Sequence, residues 1–79
     1  MRLDKFLKVS RVIKRRTVAN EACDAGRVTI NGKLAKASTP VSVGDVIEIR
    51  FGQTYTKIEA LNVNEKAKKE EAADMYRSL

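Results

Sequence analysis

The sequence has 79 residues, 16 of them Lys or Arg and 10 of them Asp or Glu, and it contains no His. That length predicts one domain with a small core. Without imidazole, and with Cys23 as its one cysteine, the chain excludes His-based catalysis, Cys/His metal sites and an internal disulfide. No apolar run approaches the ~20 residues of a membrane span. We therefore expect a small soluble cytoplasmic domain without a metal or cofactor.

The charge is unevenly distributed along the chain. Residues 1–36 contain ten basic and three acidic residues, a net charge of +7, whereas residues 37–79 carry a net charge of −1. A basic cluster confined to one segment is typical of nucleic-acid binders, although solubility alone also favours basic surfaces. The charge distribution therefore favours a polyanionic partner for the first half of the chain.

Two short helices are predicted in this basic half. The first covers residues 3–9, with Ser10 expected to interrupt it, and its apolar face consists of Leu3, Phe6 and Leu7. The second covers residues 17–25, with Thr17 as its N-cap and Gly26 as the left-handed residue after its end. We expect its buried stripe to comprise Val18, Ala22 and Ala25, flanked by Ala19 and Cys23.

After the second helix the apolar period changes to two, which predicts strands. Asn31-Gly32 predicts a type I′ hairpin turn, because both central residues of that turn need positive φ. The chain then returns over residues 33–37, and Pro40 is expected to interrupt pairing. Later strands are predicted over residues 46–51, with Ile47, Ile49 and Phe51 facing one way, and over residues 54–63.

The last 16 residues are highly charged, and the sequence leaves two arrangements open for them. They form a partly helical tail that packs Met75, Tyr76 and Leu79, or a loosely ordered segment; we favour the partly helical tail. Two helices followed by antiparallel strands predict an α+β fold. We expect a domain over residues 1–63, with its core in residues 1–51, and a charged tail over residues 64–79.

The candidate binding residues are the basic side chains of the first helix and of the segment before the second. The free amides and the helix dipole at the start of the second helix favour binding of an anion. Guanidinium groups beside them form bidentate hydrogen bonds with phosphate. For the basic residues of the first helix taken alone, a solvated helix face is the simpler interpretation. The predicted set is Arg2, Lys5, Lys8, Arg11, Lys14, Arg15 and Arg16.

Two further residues are predicted to support this set. Asp4 is expected to form an ion pair that orients Arg15 or Arg16, and Thr17 to cap the second helix. Phe6 is the one aromatic in the basic segment, and the helix pattern places it in the core. Phosphate contacts and shape should therefore outweigh base stacking, which leaves structured RNA and DNA both open as ligands.

Four blocks of the sequence carry a family resemblance. They are RLDKFL at residues 2–7, KRRTVA at 14–19, GRVTING at 26–32 and VGDVI at 43–47. In this order and spacing they resemble the RNA-binding domain family named after ribosomal protein S-four, also called the alpha-L motif. That family's fold is two short helices packed on a small antiparallel sheet. Residues 1–11 and the KKEEAA run at 68–73 are similar to stand-alone members related to the fifteen-kilodalton heat-shock protein, notably the RqcP family.

The resemblance implies a non-catalytic role in ribosome-associated quality control. It implies binding to 23S rRNA at helix 69 and to peptidyl-tRNA on the large ribosomal subunit, while the partner RqcH adds alanine to the stalled chain. By position, the resemblance also implies that Arg2, Lys5, Arg11, Arg15 and Arg16 contact RNA. Asp4 and Thr17 would support them. We expect a monomer. The alternatives are an accessory module of an RNA-modifying system and a protein–protein adaptor that acts through its tail.

Overall fold

A computed structural model describes residues 1–79 as an α+β fold, as predicted. Its elements in chain order are α1 (Leu3–Val9), α2 (Arg16–Asp24), β1 (Val28–Ile30), β2 (Lys33–Leu34), β3 (Val46–Phe51), β4 (Thr54–Ala60), a 3₁₀-helix η1 (Lys69–Met75) and β5 (Tyr76–Ser78). The strands form one antiparallel sheet in the order β2-β1-β3-β4-β5. None of the helices is long and apolar enough to cross a membrane.

Helix α1 has the predicted limits, and its start is held by a distant segment. It ends at the C-cap Ser10, and its three predicted core residues are fully buried. The Leu3 amide donates to the Thr39 carbonyl at 2.8 Å, and the Val41 amide donates to the Met1 carbonyl at 2.8 Å. Pro40 therefore lies outside the sheet but beside the N-terminus, where it forms a bridge with Arg2. This contact sets where α1 begins.

Helix α2 departs from the prediction by one residue. It begins at Arg16, so Arg15 occupies the N-cap position without a side-chain cap, and Thr17 is the second helical residue. The predicted N-cap role of Thr17 is therefore wrong. Arg16, the first helical residue, lies 3.6 Å from Asp4 of α1 through its side chain. The first-turn amides have no side-chain cap.

The buried face of α2 is also narrower than predicted. Its buried residues are Ala19, Ala22 and Cys23, at the helical spacing i, i+3, i+4. The predicted burial of Val18 and Ala25 is wrong, since both are exposed. Small residues on this face allow α2 to approach α1 closely.

The sheet confirms the predicted hairpin and central strand. Asn31 and Gly32 have φ values of 53° and 84°, as the tight turn requires. β2 is shorter than the predicted 33–37 return, because a turn closed by Lys36 and Thr39 follows it. Ile47 and Ile49 are buried as predicted, but Phe51, the last residue of the strand, is 38% exposed and lines an open pocket with Val18 and Ala22 of α2.

The charged tail joins the sheet. β5 pairs with β4 in the register Ala60↔Tyr76, and η1 precedes it, which confirms a partly helical tail. Met75 is fully buried in the core as predicted, whereas Leu79 is 53% exposed, so its predicted packing is wrong. Fixing the tail in the sheet places residues 65–69 beside α1, where they take part in the candidate site.

Candidate nucleic-acid interface

The site is organised around the buried carboxylate of Asp4, whose side chain is 3% exposed. Its Oδ1 accepts hydrogen bonds from Arg2 Nε at 3.2 Å and from the Lys5 amide at 2.7 Å. Its Oδ2 accepts one from Asn20 Nδ2 at 3.2 Å and lies 3.6 Å from Arg16 Nε. One carboxylate thus joins the start of α1 to the first turns of α2.

The electrostatics of this cluster favour an ionised Asp4. Burial alone would raise the pKa of the Asp4 carboxyl. The hydrogen bonds from Asn20 and Lys5, together with the nearby Arg16 and Arg2 charges, outweigh that effect and hold the pKa below its usual value. Asp4 therefore keeps its negative charge at neutral pH and holds two partly exposed guanidinium groups at the protein surface.

A second group of cations lines an open groove beside this cluster. The groove runs between α1, the α1–α2 loop and the segment before η1. Its charged lining consists of Lys5, Lys8, Arg11, Lys14, Arg16, Lys69 and the single acid Glu65. The excess of positive charge and the open shape suit the phosphate backbone of a nucleic acid. Arg16 faces both the groove and a neighbouring pocket that contains Arg2 and Asp4.

Arg11 adopts an unusual backbone conformation in this groove. Its φ is 64°, in the left-handed region where non-glycine residues are uncommon. It follows the C-cap Ser10, the position at which helices usually place glycine, and its amide donates to the Lys8 carbonyl at 3.1 Å. The chain therefore accepts a backbone cost of roughly 1 kcal/mol to place a guanidinium group here.

The structure brings most of the predicted residues together. Five of the seven predicted cations line the groove, and Arg2 lies in the adjacent pocket. Arg15 lines neither; its side chain is exposed at the start of α2. The predicted ion pair of Asp4 forms with Arg16 and additionally with Arg2. Thr17 lines the same pocket as Asp4.

Sequence reasoning missed three residues of the site. The side-chain amide of Asn20 donates to Asp4 across the helix pair. Glu65 and Lys69 reach the groove from the tail. No local signal identifies these two, because their position depends on the pairing of β5 with β4.

The Cys23 thiol takes no part in the site. It is fully buried in the core as predicted, and burial, reinforced by the Asp4 and Asp24 charges, raises its pKa to about 11. A protonated and inaccessible thiol is a poor nucleophile, so Cys23 acts as a small core residue.

Comparison with known proteins identifies the family. A family model described as the S4 domain matches residues 1–47, which contain both helices and every predicted cation. The chain belongs to the S4 domain family. The resemblance found in the sequence is thereby confirmed, and six of the nine residues that line the basic groove lie within the matched S4 domain.

Relatives within the S4 family share most of the chain. A protein of Halalkalibacterium halodurans named RQC P-site tRNA stabilizing factor is 59% identical over 76 residues, which is 96% of this chain and 86% of the relative. A Bacillus subtilis protein of the same name is 56% identical over 79 residues, covering 100% of this chain and 92% of the relative. A heat shock protein 15 homolog of Aeromonas salmonicida is 34% identical over 68 residues, which is 86% of this chain and 52% of the relative.

Solved structures show the same S4 fold. The trimeric structure of Vibrio cholerae heat shock protein 15 matches with a TM-score of 0.88 and 32% identity, covering 100% of this chain and 81% of that one. The solution structure of a hypothetical protein, HP1423, matches with a TM-score of 0.83 and 30% identity, covering 100% of this chain and 96% of that one. Both matches cover the whole of this chain, including the tail.

Replacing Arg11 with glycine should separate its backbone cost from its side-chain function. In Arg11→Gly the left-handed conformation no longer carries a penalty, so the free energy of unfolding should stay equal or rise by up to about 1 kcal/mol. RNA affinity should fall several-fold, and the slope of log affinity against log salt should decrease by about 0.9. Thermal melts and RNA titrations at several salt concentrations measure both effects. Reduced stability with unchanged affinity would contradict this assignment.

Glu65 should lower the affinity of the groove for RNA. Its Oε1 lies 3.6 Å from Lys5 Nζ, so a phosphate that binds Lys5 must approach this carboxylate or displace it. Both side chains are partly exposed, so the ion pair contributes less than about 1 kcal/mol to stability. Glu65→Gln should therefore raise RNA affinity roughly 2- to 5-fold with little change in melting temperature.

The matched control for that substitution is Glu59→Gln. It changes the net charge equally, but Glu59 pairs with Arg77 at 2.7 Å on the sheet, away from the groove. We expect the control to leave groove affinity almost unchanged. Weaker RNA binding by Glu65→Gln would instead mean that Glu65 orients Lys5 for contact.

Proposed function

We propose that this protein is a non-catalytic, cytoplasmic RNA-binding factor of ribosome-associated quality control. In this proposal it binds 23S rRNA near helix 69 and peptidyl-tRNA on the large ribosomal subunit, and it supports RqcH-dependent alanine tailing. The observation that carries the proposal is the groove of five S4-domain cations, one of which, Arg16, is anchored by Asp4 together with the neighbouring Arg2. Relatives that share nearly the whole chain are named RQC P-site tRNA stabilizing factors, which supports the ribosomal setting.

The arrangement suits holding RNA in place. Arg2 and Arg16 are each about half exposed and are fixed from below by Asp4, so they lose little side-chain freedom when they meet a phosphate. The uncapped first turn of α2 adds free amides beside Arg16. Such a surface reads the backbone geometry of a structured RNA rather than its sequence.

Salt dependence of ribosome binding tests this function. If the protein binds through six or more phosphate contacts, its affinity should fall about 10³-fold between 50 and 200 mM salt. The measurement is co-sedimentation of the protein with purified large subunits that carry peptidyl-tRNA, over that salt range. Binding indifferent to salt, or equal binding to subunits stripped of tRNA, would contradict the proposal.

We also propose that the protein acts as a monomer with RqcH as its functional partner. Light scattering at increasing protein concentration should give the mass of one chain, and a trimer would contradict this. In a reconstituted tailing reaction, omission of the protein should shorten RqcH-dependent alanine tails. Unchanged tails would remove RqcH from the proposal while leaving RNA binding in place.

A further inference from the structure

The outer face of the sheet carries a second group of cations. Residues on this face alternate along the strands with the buried residues that pack under the helices. The register places Thr29 opposite Glu48, Glu48 opposite Lys57, and Arg50 opposite Tyr55. This face is therefore the opposite surface of the molecule from α1 and α2, which cover the inner side of the sheet.

Two of the cations on this face have no acidic partner. Lys57 pairs with Glu48 at 3.9 Å, and Arg77 pairs with Glu59 at 2.7 Å. Neither Arg27 nor Arg50 lies within 4.0 Å of a carboxylate oxygen. The ion pairs thus neutralise the rest of the face and leave a net positive charge on two adjacent guanidinium groups.

Arg27 and Arg50 line a small pocket on the outer sheet face. The pocket is lined by Gly26, Arg27, Thr29, Glu48 and Arg50. The buried Thr29 Oγ1 is the one buried side-chain polar atom of the chain that has no hydrogen-bond partner. This oxygen has less than 1 Å² of exposed surface, so the pocket presents the two guanidinium groups and Glu48 as its charged groups.

An exposed aromatic ring stands beside this pocket. The Tyr55 side chain is 51% exposed, and the Arg50 guanidinium lies 5.9 Å from its ring centre. Arginine and tyrosine side by side form a stacking surface for an unpaired base. Glu48 at the pocket rim supplies an acceptor for a base amino group, while the Arg27 guanidinium suits a phosphate.

From these observations we infer that the surface formed by Arg27, Arg50 and Tyr55 binds a second RNA strand with an unpaired base. The helical groove lacks an exposed aromatic, whereas this surface has one, so the two faces differ in the RNA they suit. The inference rests on the proposed RNA-binding function and extends it: the protein bridges two RNA segments held on opposite faces.

Competition between two RNA probes tests the inference. A labelled single-stranded RNA octamer is titrated into the full chain while a saturating RNA duplex occupies the helical groove. The wild-type chain should still bind the octamer. In the variant Arg27→Gln/Arg50→Gln, octamer affinity should fall at least roughly tenfold and its salt slope by about 1.4, with duplex affinity unchanged.

The control is Lys57→Gln/Arg77→Gln, which makes the same charge change on the same face but removes ion-paired cations. It should lower octamer affinity far less. A second pair of variants, Tyr55→Leu and Tyr55→Phe, isolates the contribution of stacking. Octamer affinity should fall roughly fivefold or more in Tyr55→Leu, whereas Tyr55→Phe should bind the octamer as the wild type does. Both substitutions are at an exposed position, so both variants should fold.

Three outcomes would overturn the inference. They are displacement of the octamer by the duplex in the wild-type chain, equal losses in the two double variants, and equally strong competition by an acidic octapeptide. These results would leave the ribosome-binding proposal intact, because that proposal depends on Arg16 and the groove and is measured by sedimentation with large subunits.

Discussion

Arg16→Ala should weaken association with the large ribosomal subunit by about 10- to 100-fold at 100 mM salt. Arg16 faces both the basic groove and the Asp4 pocket, and a charge-assisted hydrogen bond to phosphate is worth about 1.5–3 kcal/mol. The side chain is 47% exposed and lies 3.6 Å from Asp4, so its loss should destabilise the fold by less than about 1 kcal/mol. Affinity should therefore fall without a matching fall in melting temperature.

Lys57→Ala is the matched control for this substitution. It removes one positive charge from the outer sheet face, where Lys57 pairs with Glu48. Its effect on subunit binding should be no more than about twofold at the same salt concentration. Arg16→Lys should lie between the two, because an ammonium keeps the charge but cannot grip phosphate through two parallel hydrogen bonds. Equal losses for Arg16→Ala and Lys57→Ala would mean that diffuse charge attraction, and not this site, carries binding.

Asp4→Asn should reduce both stability and RNA affinity. The substitution keeps the size of the side chain but removes the charge that faces Arg2 and Arg16, and its amide nitrogen meets donors where an oxygen accepted before. Breaking a buried, hydrogen-bonded carboxylate of this kind should cost about 2–3 kcal/mol, which lowers the melting temperature by roughly 10–20 °C. Subunit affinity should fall because both arginines lose their fixed positions.

Asp74→Asn provides the control for that change. It makes the same charge change at an exposed residue of η1 that forms no ion pair or side-chain hydrogen bond. Its melting temperature should match that of the wild type. An Asp4→Asn variant that is as stable as Asp74→Asn would show that the cluster does not anchor the two helices.

The stabilising effect of Asp4 should depend on pH with a defined sign. Its pKa in the folded chain is below the usual value, so its contribution is fully present above the unfolded pKa of about 3.9. The contribution disappears as the pH falls through the lowered folded pKa. The difference in stability between wild type and Asp4→Asn should therefore be constant from pH 5 to 7 and close below about pH 4, as measured by denaturant unfolding.

Local patterns in the sequence accounted for most of the secondary structure. The apolar spacing of Leu3, Phe6 and Leu7 predicted α1, and the Asn31-Gly32 pair predicted the hairpin turn, because each signal depends on a few neighbouring residues. The four motif blocks together predicted the S4 fold, which the family match confirms. The +7 charge of residues 1–36 placed the candidate interface on the helices.

The tertiary structure decided how those residues are used. Asp4 and Asn20 are 16 positions apart, and only the packing of α1 against α2 brings their side chains within hydrogen-bond distance. Glu65 and Lys69 enter the groove because β5 pairs with β4, a long-range contact that no local pattern reports. On the outer sheet face, strand register determines that Lys57 and Arg77 are neutralised while Arg27 and Arg50 are not.

The sequence by itself thus determined the fold family, the sign of the surface charge and the segment that carries it. Tertiary contacts decided how each cation is paired. Some have no carboxylate partner, two are held by Asp4, and others form ion pairs with glutamates. The physical reason is range: backbone propensity and apolar periodicity act over a few residues, whereas ion pairing acts between side chains that only folding brings together.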